Sequence, residues 1–310
     1  MQHLTTLHNV HLEQSRVTIG SFDGVHRGHQ SIIHQLVQEA QSAVAPAVVV
    51  TFFPHPAIVL RGPNTVFYLT TPEERAALLA DLGVDVVVTL PFDHELASQS
   101  PQEFMQMLSD HLGLRRLWVG NNFALGRNRS GNIETLKQIG EQMNFSVEVV
   151  QPIINGNGEL ISSSNIRRLL AEGDVQRAAE LLGRWYAIAG KIIHGDGRGK
   201  SLGIPTANLG FWPERALPAR GVYATRFWWG QQSFSAVTNV GVNPTFANQP
   251  PRPRVETHVM DFNQDLYGQE ARLEFIAHLR PEQRFGSAAE LVEQIQADVA
   301  HAREVLAHVS

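Results

Sequence analysis

The sequence predicts an α/β fold in two domains: a doubly wound parallel sheet over residues 1–184, then a small antiparallel β-barrel over residues 185–310 that a C-terminal helix closes. Two sequence patterns along the chain support this prediction. Before about residue 182, short β-branched runs alternate with helical patterns, which is typical of parallel sheets. After it, strand-like runs follow one another between Gly- and Pro-rich turns. The length of 310 residues suits two domains of ordinary size.

Five strands alternate with four helices in the first predicted domain. The strands are expected at residues 17–19, 47–51, 84–90, 116–119 and 147–150, and the helices at 31–43, 72–82, 101–112 and 132–143. The strand runs are continuously apolar, as in strands buried on both faces of a parallel sheet. Pro72 and Pro101 each follow a Thr or Ser, the pairing expected at a helix N-cap and first turn. We expect a ligand site at the carboxyl ends of these strands.

The second predicted domain contains five strand-like runs and one long helical pattern. The strands are expected at residues 186–193, 222–229, 233–240, 255–260 and 271–277. Strands joined by turns favour an antiparallel barrel, with a sandwich as the alternative. Near the C-terminus, apolar side chains recur at helical spacing and form one stripe: Leu291, Ile295, Val299, Ala302 and Leu306. This stripe predicts a helix that covers the barrel.

Composition excludes several kinds of chemistry and of partner. The chain has no cysteine, which excludes disulfides, thiolate metal sites and cysteine nucleophiles. With 25 basic and 30 acidic residues it carries a net charge of -5, so no nucleic-acid partner is expected. No N-terminal leader pattern and no membrane-length apolar run is present, so we expect a cytoplasmic protein with no membrane partner. The 14 histidines are the polar residues that remain to be explained.

A histidine–glycine motif follows the first predicted strand directly. Residues 20–29 read GSFDGVHRGH and lead into a predicted helix. Glycine lets a ligand approach the backbone, and a helix N-terminus offers free N–H groups and a partial positive charge. His26 and His29, on either side of Gly28, therefore favour a phosphate-binding site. A metal-binding histidine pair and a purely structural turn are the alternatives.

A second segment strengthens the phosphate interpretation. Residues 161–167 read ISSSNIR and precede a short helix. Three hydroxyls at a predicted N-cap, with Arg167 one turn inside, form a further anion cradle. A well-capped helix with a solvated arginine is the alternative if this segment is considered alone.

Together the two motifs resemble the HxGH nucleotidylyltransferase superfamily, in particular the FMN adenylyltransferase module of prokaryotic FAD synthetases, with its GxFDGxHxGH and ISSTxIR patterns. Ser164 stands where threonine is usual, and Asn122 and Phe53 stand where acidic residues are frequent. Other segments similar to that family are TFFPHP at 51–56, GVD at 83–85 and VGNNF at 119–123.

The resemblance implies a role for each motif residue in adenylyl transfer. The attacking FMN phosphate is already an anion, so the reaction needs alignment and charge stabilisation, not a general base. His26 and His29 are therefore assigned as electrostatic stabilisers. The other positions implied in ATP or phosphate binding are Gly20, Ser21, Phe22, Asp23, Gly28, Asn122, Ser163, Ser164 and Arg167.

The second domain opens with a glycine-rich loop that imitates a Walker A motif. Residues 190–201 read GKIIHGDGRGKS, but the GxxxxGK[ST] spacing requires glycine where the chain has His194. Gly203 and Pro205 also prevent the helix that must follow such a loop. The Walker interpretation is rejected. The loop, with Gly195, Gly199 and Lys200, remains a candidate for phosphate binding.

The segments after this loop resemble the riboflavin kinase module across nearly the whole second half. They are PTAN at 205–208, GVYA at 221–224, NVGVNPTF at 239–246, VETH at 255–258 and LYG at 266–268. The resemblance implies that Thr206 and Asn208 bind Mg²⁺ and the ATP phosphates and that Glu256 is the catalytic base. A base suits this reaction because the nucleophile is a neutral ribityl hydroxyl. Lys200 stands where arginine is common.

The sequence thus leads to a bifunctional flavin enzyme as the hypothesis. The barrel would phosphorylate riboflavin to FMN with ATP and Mg²⁺, and the α/β domain would adenylylate FMN to FAD and release pyrophosphate. Riboflavin, FMN and ATP are the expected small-molecule partners. A riboflavin kinase with a weakened adenylyltransferase half, suggested by Asn122 and Phe53, and a non-catalytic flavin or nucleotide sensor are the alternatives.

Overall fold

A computed structural model describes residues 1–62, 67–151, 153, 158–195, 203–242 and 253–309. The chain divides into two compact units, Met1–Ser163 and Ser164–Ser310. Each unit is built around its own sheet, so the first has the predicted α/β architecture and the second the predicted barrel. The prediction of a barrel, and not a sandwich, is confirmed.

The first unit contains a six-stranded sheet in which every neighbouring pair is parallel. In space the strands follow the order β1-β4-β3-β2-β5-β6. The sequence did not predict β1, which is only three residues long and has no buried residue. In chain order the strands are β1 Gln2–Leu4, β2 Ser15–Ile19, β3 Ala47–Phe53, β4 Val86–Pro91, β5 Leu114–Gly120 and β6 Ser146–Val150.

Helices cover both faces of this sheet because successive residues of a strand point to opposite faces. In β3, Val48 and Val50 pack on the side of α5 and α6, whereas Val49 packs on the side of α1 and α3. The sheet is therefore doubly wound, as predicted. The helices are α1 Arg27–Ser42, α2 Pro56–Arg61, α3 Pro72–Asp81, α4 His94–Ser98, α5 Pro101–Leu112 and α6 Ile133–Met143.

The predicted helix starts at the two prolines are confirmed. Thr71 and Ser100 each form a capping box, with Pro72 and Pro101 following in the first turn. The short helices α2 and α4 were not predicted, because six and five residues are too few to show a helical period.

Two helices, α7 (Ser163–Ala171) and α8 (Val175–Leu182), connect the sheets along the chain. Nearly all of this helical pair belongs to the second compact unit: α8 packs on two strands of the barrel, and Leu170 O accepts a hydrogen bond from Ala219 N. The compact units thus divide before this pair, whereas the sequence places the functional boundary after it, at residues 184 and 185. That functional boundary stays a prediction.

The second unit contains a closed antiparallel barrel with the strand order β10-β11-β8-β7-β12-β9. Burial alternates along β11, whose odd-numbered residues from Val255 onward face the barrel core. The four-residue β8 follows a proline and was not predicted. The strands are β7 Tyr186–Ile193, β8 Ala207–Gly210, β9 Gly221–Trp229, β10 Gln232–Val242, β11 Pro253–Val259 and β12 Glu270–Arg280.

A helix of 20 residues, α9 (Ala288–Ala307), packs on β9, β10 and β12. Ala302 of the predicted stripe is fully buried in that contact. Arg280 of β12 holds the helix through two-pronged hydrogen bonds to Asp298, at 2.9 Å from Nε to Oδ1 and 2.8 Å from Nη2 to Oδ2. The predicted covering helix is confirmed. Within the described ranges, no helix combines the length and the apolar character that a membrane crossing requires.

Candidate functional site

The first unit has a cavity of about 330 Å³ at the point where the order of the strands in the sheet reverses. From β2 the chain goes outward through β3 to β4 and then returns to β5 on the other side of β2. Loops at such a switch point diverge and leave a crevice at the carboxyl ends of the strands. Gly20, just after β2, and Asn122, just after β5, both line the cavity.

The N-terminus of α1 forms one wall of this cavity and carries the predicted histidines. His26 is the N-cap: its Nδ1 accepts a hydrogen bond from His29 N at 3.3 Å. The two imidazole rings stack with their centroids 3.6 Å apart. Phe22 contacts the ring of His29 edge-on, at 5.0 Å. The sequence therefore folds both histidines into one fixed block beside the free N–H groups of the helix.

His29 is held in its neutral form. Burial is the main cause that lowers the pKa of His29 well below its ordinary value, and the neighbouring His26 and Arg75 lower it further. Its Nδ1 is buried and has no hydrogen-bond partner among the described residues. An unpartnered buried nitrogen beside a helix N-terminus suits a ligand oxygen as its partner.

Two glycines keep this block compact. A Cβ at Gly28 would lie 3.2 Å from both Cε1 and Nδ1 of the His26 ring, and one at Gly20 would lie 3.0 Å from the Phe22 ring. A side chain at either position would therefore have to displace one of these rings by a few tenths of an ångström. The predicted motif residues Gly20, Phe22, His26, Gly28 and His29 all lie in the cavity wall.

The sequence gave no indication of Arg75, a fully buried arginine of α3 behind the motif. Its Nη1 donates to Ser21 O at 2.6 Å and to Thr51 Oγ1 at 2.8 Å. These bonds tie the loop after β2 to the end of β3. An arginine in a helical pattern is ordinarily a solvent-exposed residue, so only the fold identifies this buried charge.

The other motif residues of the first unit have several different surroundings. Asp23 is buried, and its carboxylate accepts hydrogen bonds from Leu69 N and Thr70 N at 3.0 Å. Ser163 Oγ donates to Asp23 O at 2.8 Å. Neither Asp23 nor Ser21 lies in the cavity wall, whereas Asn122 does. Asp23 thus anchors the neighbouring loop.

Ser164 and Arg167 lie in α7, within the second compact unit. Their assignment to the triphosphate stays a prediction from the resemblance.

The second unit has a cavity of about 350 Å³ between the barrel and α9. Val222 and Val237 of the barrel and Leu291 and Ile295 of the helix stripe give it apolar walls, and Phe285 adds an aromatic ring. The size and the apolar lining are those of small-molecule sites. Two other aromatic residues of the barrel, Tyr223 and Phe227, are fully buried core residues.

Strand register brings the predicted kinase residues together beside this cavity. Asn208 of β8 lies directly opposite Glu256 of β11, which in turn lies opposite Asn239 of β10. Thr206 precedes β8, and together with Glu256 and Asn239 it lines the cavity. The structure thus brings together Thr206, Asn208 and Glu256, which are far apart along the chain.

An arginine that the sequence did not single out binds two of these residues. Arg254 Nε donates to Asn208 Oδ1 at 2.8 Å, and Arg254 Nη2 forms an ion pair with Glu256 Oε1. Arg254 and Glu256 are two residues apart on β11 and so share a face. The only available signal was this period-two spacing beside the VETH motif.

Gly195 packs against the amide group of Asn208 so closely that an added Cβ would overlap it. This contact explains one glycine of the loop that imitates a Walker A motif. Gly199 and Lys200, also predicted to bind phosphate, lie outside the described residues.

The comparison with protein families divides the chain in the same way as its two sites. The FAD synthetase family model matches residues 8–165, and the riboflavin kinase family model matches residues 182–306. A solved structure described as a macrolide-efflux protein from Streptococcus pneumoniae has a TM-score of 0.88 at 30% identity, and the alignment covers 97% of this chain and 98% of that one.

Three curated relatives share the whole length of the chain, and each is named bifunctional riboflavin kinase/FMN adenylyltransferase. The Pseudomonas fluorescens protein is 39% identical, over 99% of this chain and 98% of its own. The Escherichia coli K12 protein is 36% identical, over 93% and 91%. The Bacillus subtilis 168 protein is 35% identical, over 96% and 95%. With both family models matched and full-length relatives of this identity, the chain belongs to the bifunctional riboflavin kinase/FMN adenylyltransferase family.

Proposed function

We propose that the chain makes FAD from riboflavin in two ATP-dependent reactions. The second unit phosphorylates riboflavin to FMN, and the first unit transfers AMP from ATP to FMN and releases pyrophosphate. The observation that carries the proposal is the presence of two differently built sites. One is a histidine block at a helix N-terminus, and the other is a carboxylate beside polar oxygen donors in a barrel.

In the adenylyl transfer, an oxygen of the FMN phosphate attacks the α-phosphorus of ATP, and the bond to pyrophosphate breaks. Negative charge builds on the α-phosphate and on the leaving group. The N–H groups at the start of α1, with His26 and His29, are positioned to stabilise that charge. Because His29 is neutral before the nucleotide binds, it serves first as a hydrogen-bond donor. The triphosphate then favours its protonation.

In the kinase reaction, the ribityl hydroxyl of riboflavin attacks the γ-phosphorus of ATP, and ADP leaves. Glu256 accepts the hydroxyl proton as the new P–O bond forms. The apolar walls from Val222, Val237 and α9 suit the flavin ring, and the polar side chains of Thr206 and Asn239 suit the phosphates. Glu256 lines the same cavity.

The side-chain oxygens of Thr206 and Asn208 suit magnesium. Mg²⁺ prefers oxygen ligands, keeps several waters and shares phosphate oxygens with few protein groups. Thr206 and Asn208 offer a hydroxyl and an amide oxygen, and within the described residues no cluster of three His, Asp or Glu side chains offers an alternative metal site. We propose that Thr206 and Asn208 hold Mg²⁺ together with the ATP phosphates, where the ion would neutralise phosphate charge.

The two alternatives are less well supported. A kinase with a weakened adenylyltransferase half rested on Asn122 and Phe53, but Asn122 lines the cavity with the complete histidine block. A non-catalytic sensor would not need a carboxylate placed opposite Asn208. A cytoplasmic location remains a prediction from the sequence.

Two substitutions test the division of the reactions between the units. His29→Ala is expected to stop FAD formation, by at least about a hundredfold, while FMN accumulates from riboflavin. Glu256→Ala is expected to stop FMN formation while added FMN is still converted to FAD. Chromatography of riboflavin, FMN and FAD after incubation with ATP and Mg²⁺ measures both. Loss of both reactions in either folded variant would contradict the division.

A further inference from the structure

Arg254 places a positive charge on two residues that the proposed kinase reaction uses. Its guanidinium binds Asn208 Oδ1 through Nε and the Glu256 carboxylate through Nη2. Asn208 is the proposed nucleotide and Mg²⁺ ligand, and Glu256 is the proposed base. One side chain therefore binds the functional atoms of both residues.

The contact is built by the strand register. Asn208 and Glu256 are cross-strand partners, and Arg254 precedes Glu256 by two residues on the same face of β11. The fork of donors on a guanidinium matches two acceptors at once, which a lysine cannot do. The Arg254 and Glu256 side chains are only 21% and 25% exposed, so water screens their attraction less than at an open surface.

We propose that Arg254 is a positioning residue that holds Asn208 and Glu256 and must release both when Mg·ATP binds. This inference rests on the proposed kinase function of the barrel. While Arg254 donates to the amide oxygen of Asn208, that oxygen cannot bind a cation with the same lone pair. While the guanidinium pairs with the Glu256 carboxylate, that carboxylate oxygen is not open to the substrate hydroxyl. Nucleotide binding therefore works against this contact, and the observed affinity is reduced by the fraction of molecules in which the contact is made.

The contact also controls when Glu256 can act as a base. While Arg254 is bound to Glu256, the carboxylate cannot accept the substrate proton until the nucleotide displaces the guanidinium. Release of the base is thereby coupled to arrival of the nucleotide.

Full-length Arg254→Met and Arg254→Lys test the proposal, with Arg303→Met as a matched control in the same unit. Arg303 forms an exposed ion pair with Asp261 on the surface of the barrel unit. Mg·ADP, the product nucleotide of the kinase step, is titrated calorimetrically into each protein. Arg254→Met should bind it about threefold to tenfold more tightly than the wild type, because a partly exposed ion pair no longer competes. Arg254→Lys should be intermediate, and Arg303→Met should match the wild type.

Kinetics provide the second measurement. The KM for ATP in FMN formation should fall by the same factor in Arg254→Met, with kcat not reduced, while the KM for ATP in FAD formation should not change. Unchanged affinity in Arg254→Met overturns the proposal. Weaker binding or a tenfold lower kcat also overturns it, because Arg254 would then be a phosphate ligand. A wild-type protein that forms no FMN from riboflavin would instead overturn the proposed function itself.

Discussion

The two units, each of which we propose to bind a triphosphate, are built in opposite ways. In the first, a parallel sheet leaves a crevice at its switch point, and a helix N-terminus supplies donors that any sequence would supply there. In the second, an antiparallel barrel aligns individual side chains by register, and Asn208, Glu256 and Asn239 form one row. The first site is mostly backbone and ring packing, whereas the second is mostly side-chain chemistry.

This difference matches the nucleophile of each proposed reaction. FMN phosphate is an anion and needs no proton acceptor, and the first unit places two stacked histidines at a helix N-terminus. A ribityl hydroxyl must lose a proton, and the second unit places the Glu256 carboxylate in its cavity, paired with Arg254.

The largest difference is expected between two arginines, one in each unit, whose partners differ in charge. Arg280 pairs with Asp298, which is 5% exposed, so Arg280→Met leaves a buried carboxylate without its cation and should lower the free energy of unfolding by about 3–5 kcal/mol. The described hydrogen bonds of Arg75 go to neutral oxygens such as Ser21 O, so Arg75→Met should cost about 1–3 kcal/mol. Urea unfolding measures both.

The double variant Arg280→Met/Asp298→Leu is the control for this first prediction. Removing both partners of a buried ion pair is often nearly neutral, so it should recover most of the lost stability. A smaller loss for Arg280→Met than for Arg75→Met would show that the ion pair does not dominate the contact between α9 and the barrel.

The next effect concerns one glycine in each site. Gly195→Ala must displace the Asn208 amide and should reduce FMN formation by about tenfold to a hundredfold. Gly28→Ala requires the His26 ring to move by only a few tenths of an ångström, so its effect on FAD formation should be smaller. Each variant serves as the control for the other, because each should leave the other reaction unchanged. Equal losses of both reactions would mean that the substitutions act through global stability.

The smallest effect is a pH dependence confined to the first unit. The pKa of His29 is lowered in the folded protein, so the unfolded chain binds the proton more readily. The contribution of His29 to stability is therefore complete above its unfolded pKa of about 6.5 and declines as the pH falls below it. When the pH is lowered from about 7.5 to about 5.5, the free energy of unfolding should fall in both proteins. The fall should be about 1 kcal/mol smaller in His29→Gln than in the wild type.

Urea unfolding at the two pH values measures this slope, and Arg75→Met supplies a second comparison. Arg75 is one of the causes of the lowered pKa, so its removal should reduce the pH dependence without abolishing it. An identical slope in wild type and His29→Gln would indicate that His29 is protonated in the folded protein.

The strands and long helices were predictable because their signals are local. Continuous apolar runs marked β3 and β4, and the Thr-Pro and Ser-Pro pairs marked the starts of α3 and α5. The motifs also led to the residues proposed for each site, through their resemblance to known families. The short elements β1, β8, α2 and α4 were missed because so few residues show no period.

The sequence by itself determined the two fold types and the family, and it supplied the motif residues that we propose for each site, since periodicity, turn residues and contiguous motifs all lie within short stretches of chain. Only the tertiary structure decided that Arg75 is buried behind His29, that Asp23 anchors a loop outside the cavity wall, and that Arg254 bridges Asn208 and Glu256. The physical reason is the same in each case. Burial, charge neighbours and cross-strand register depend on segments that are distant in the chain, and no local pattern records which of them will meet.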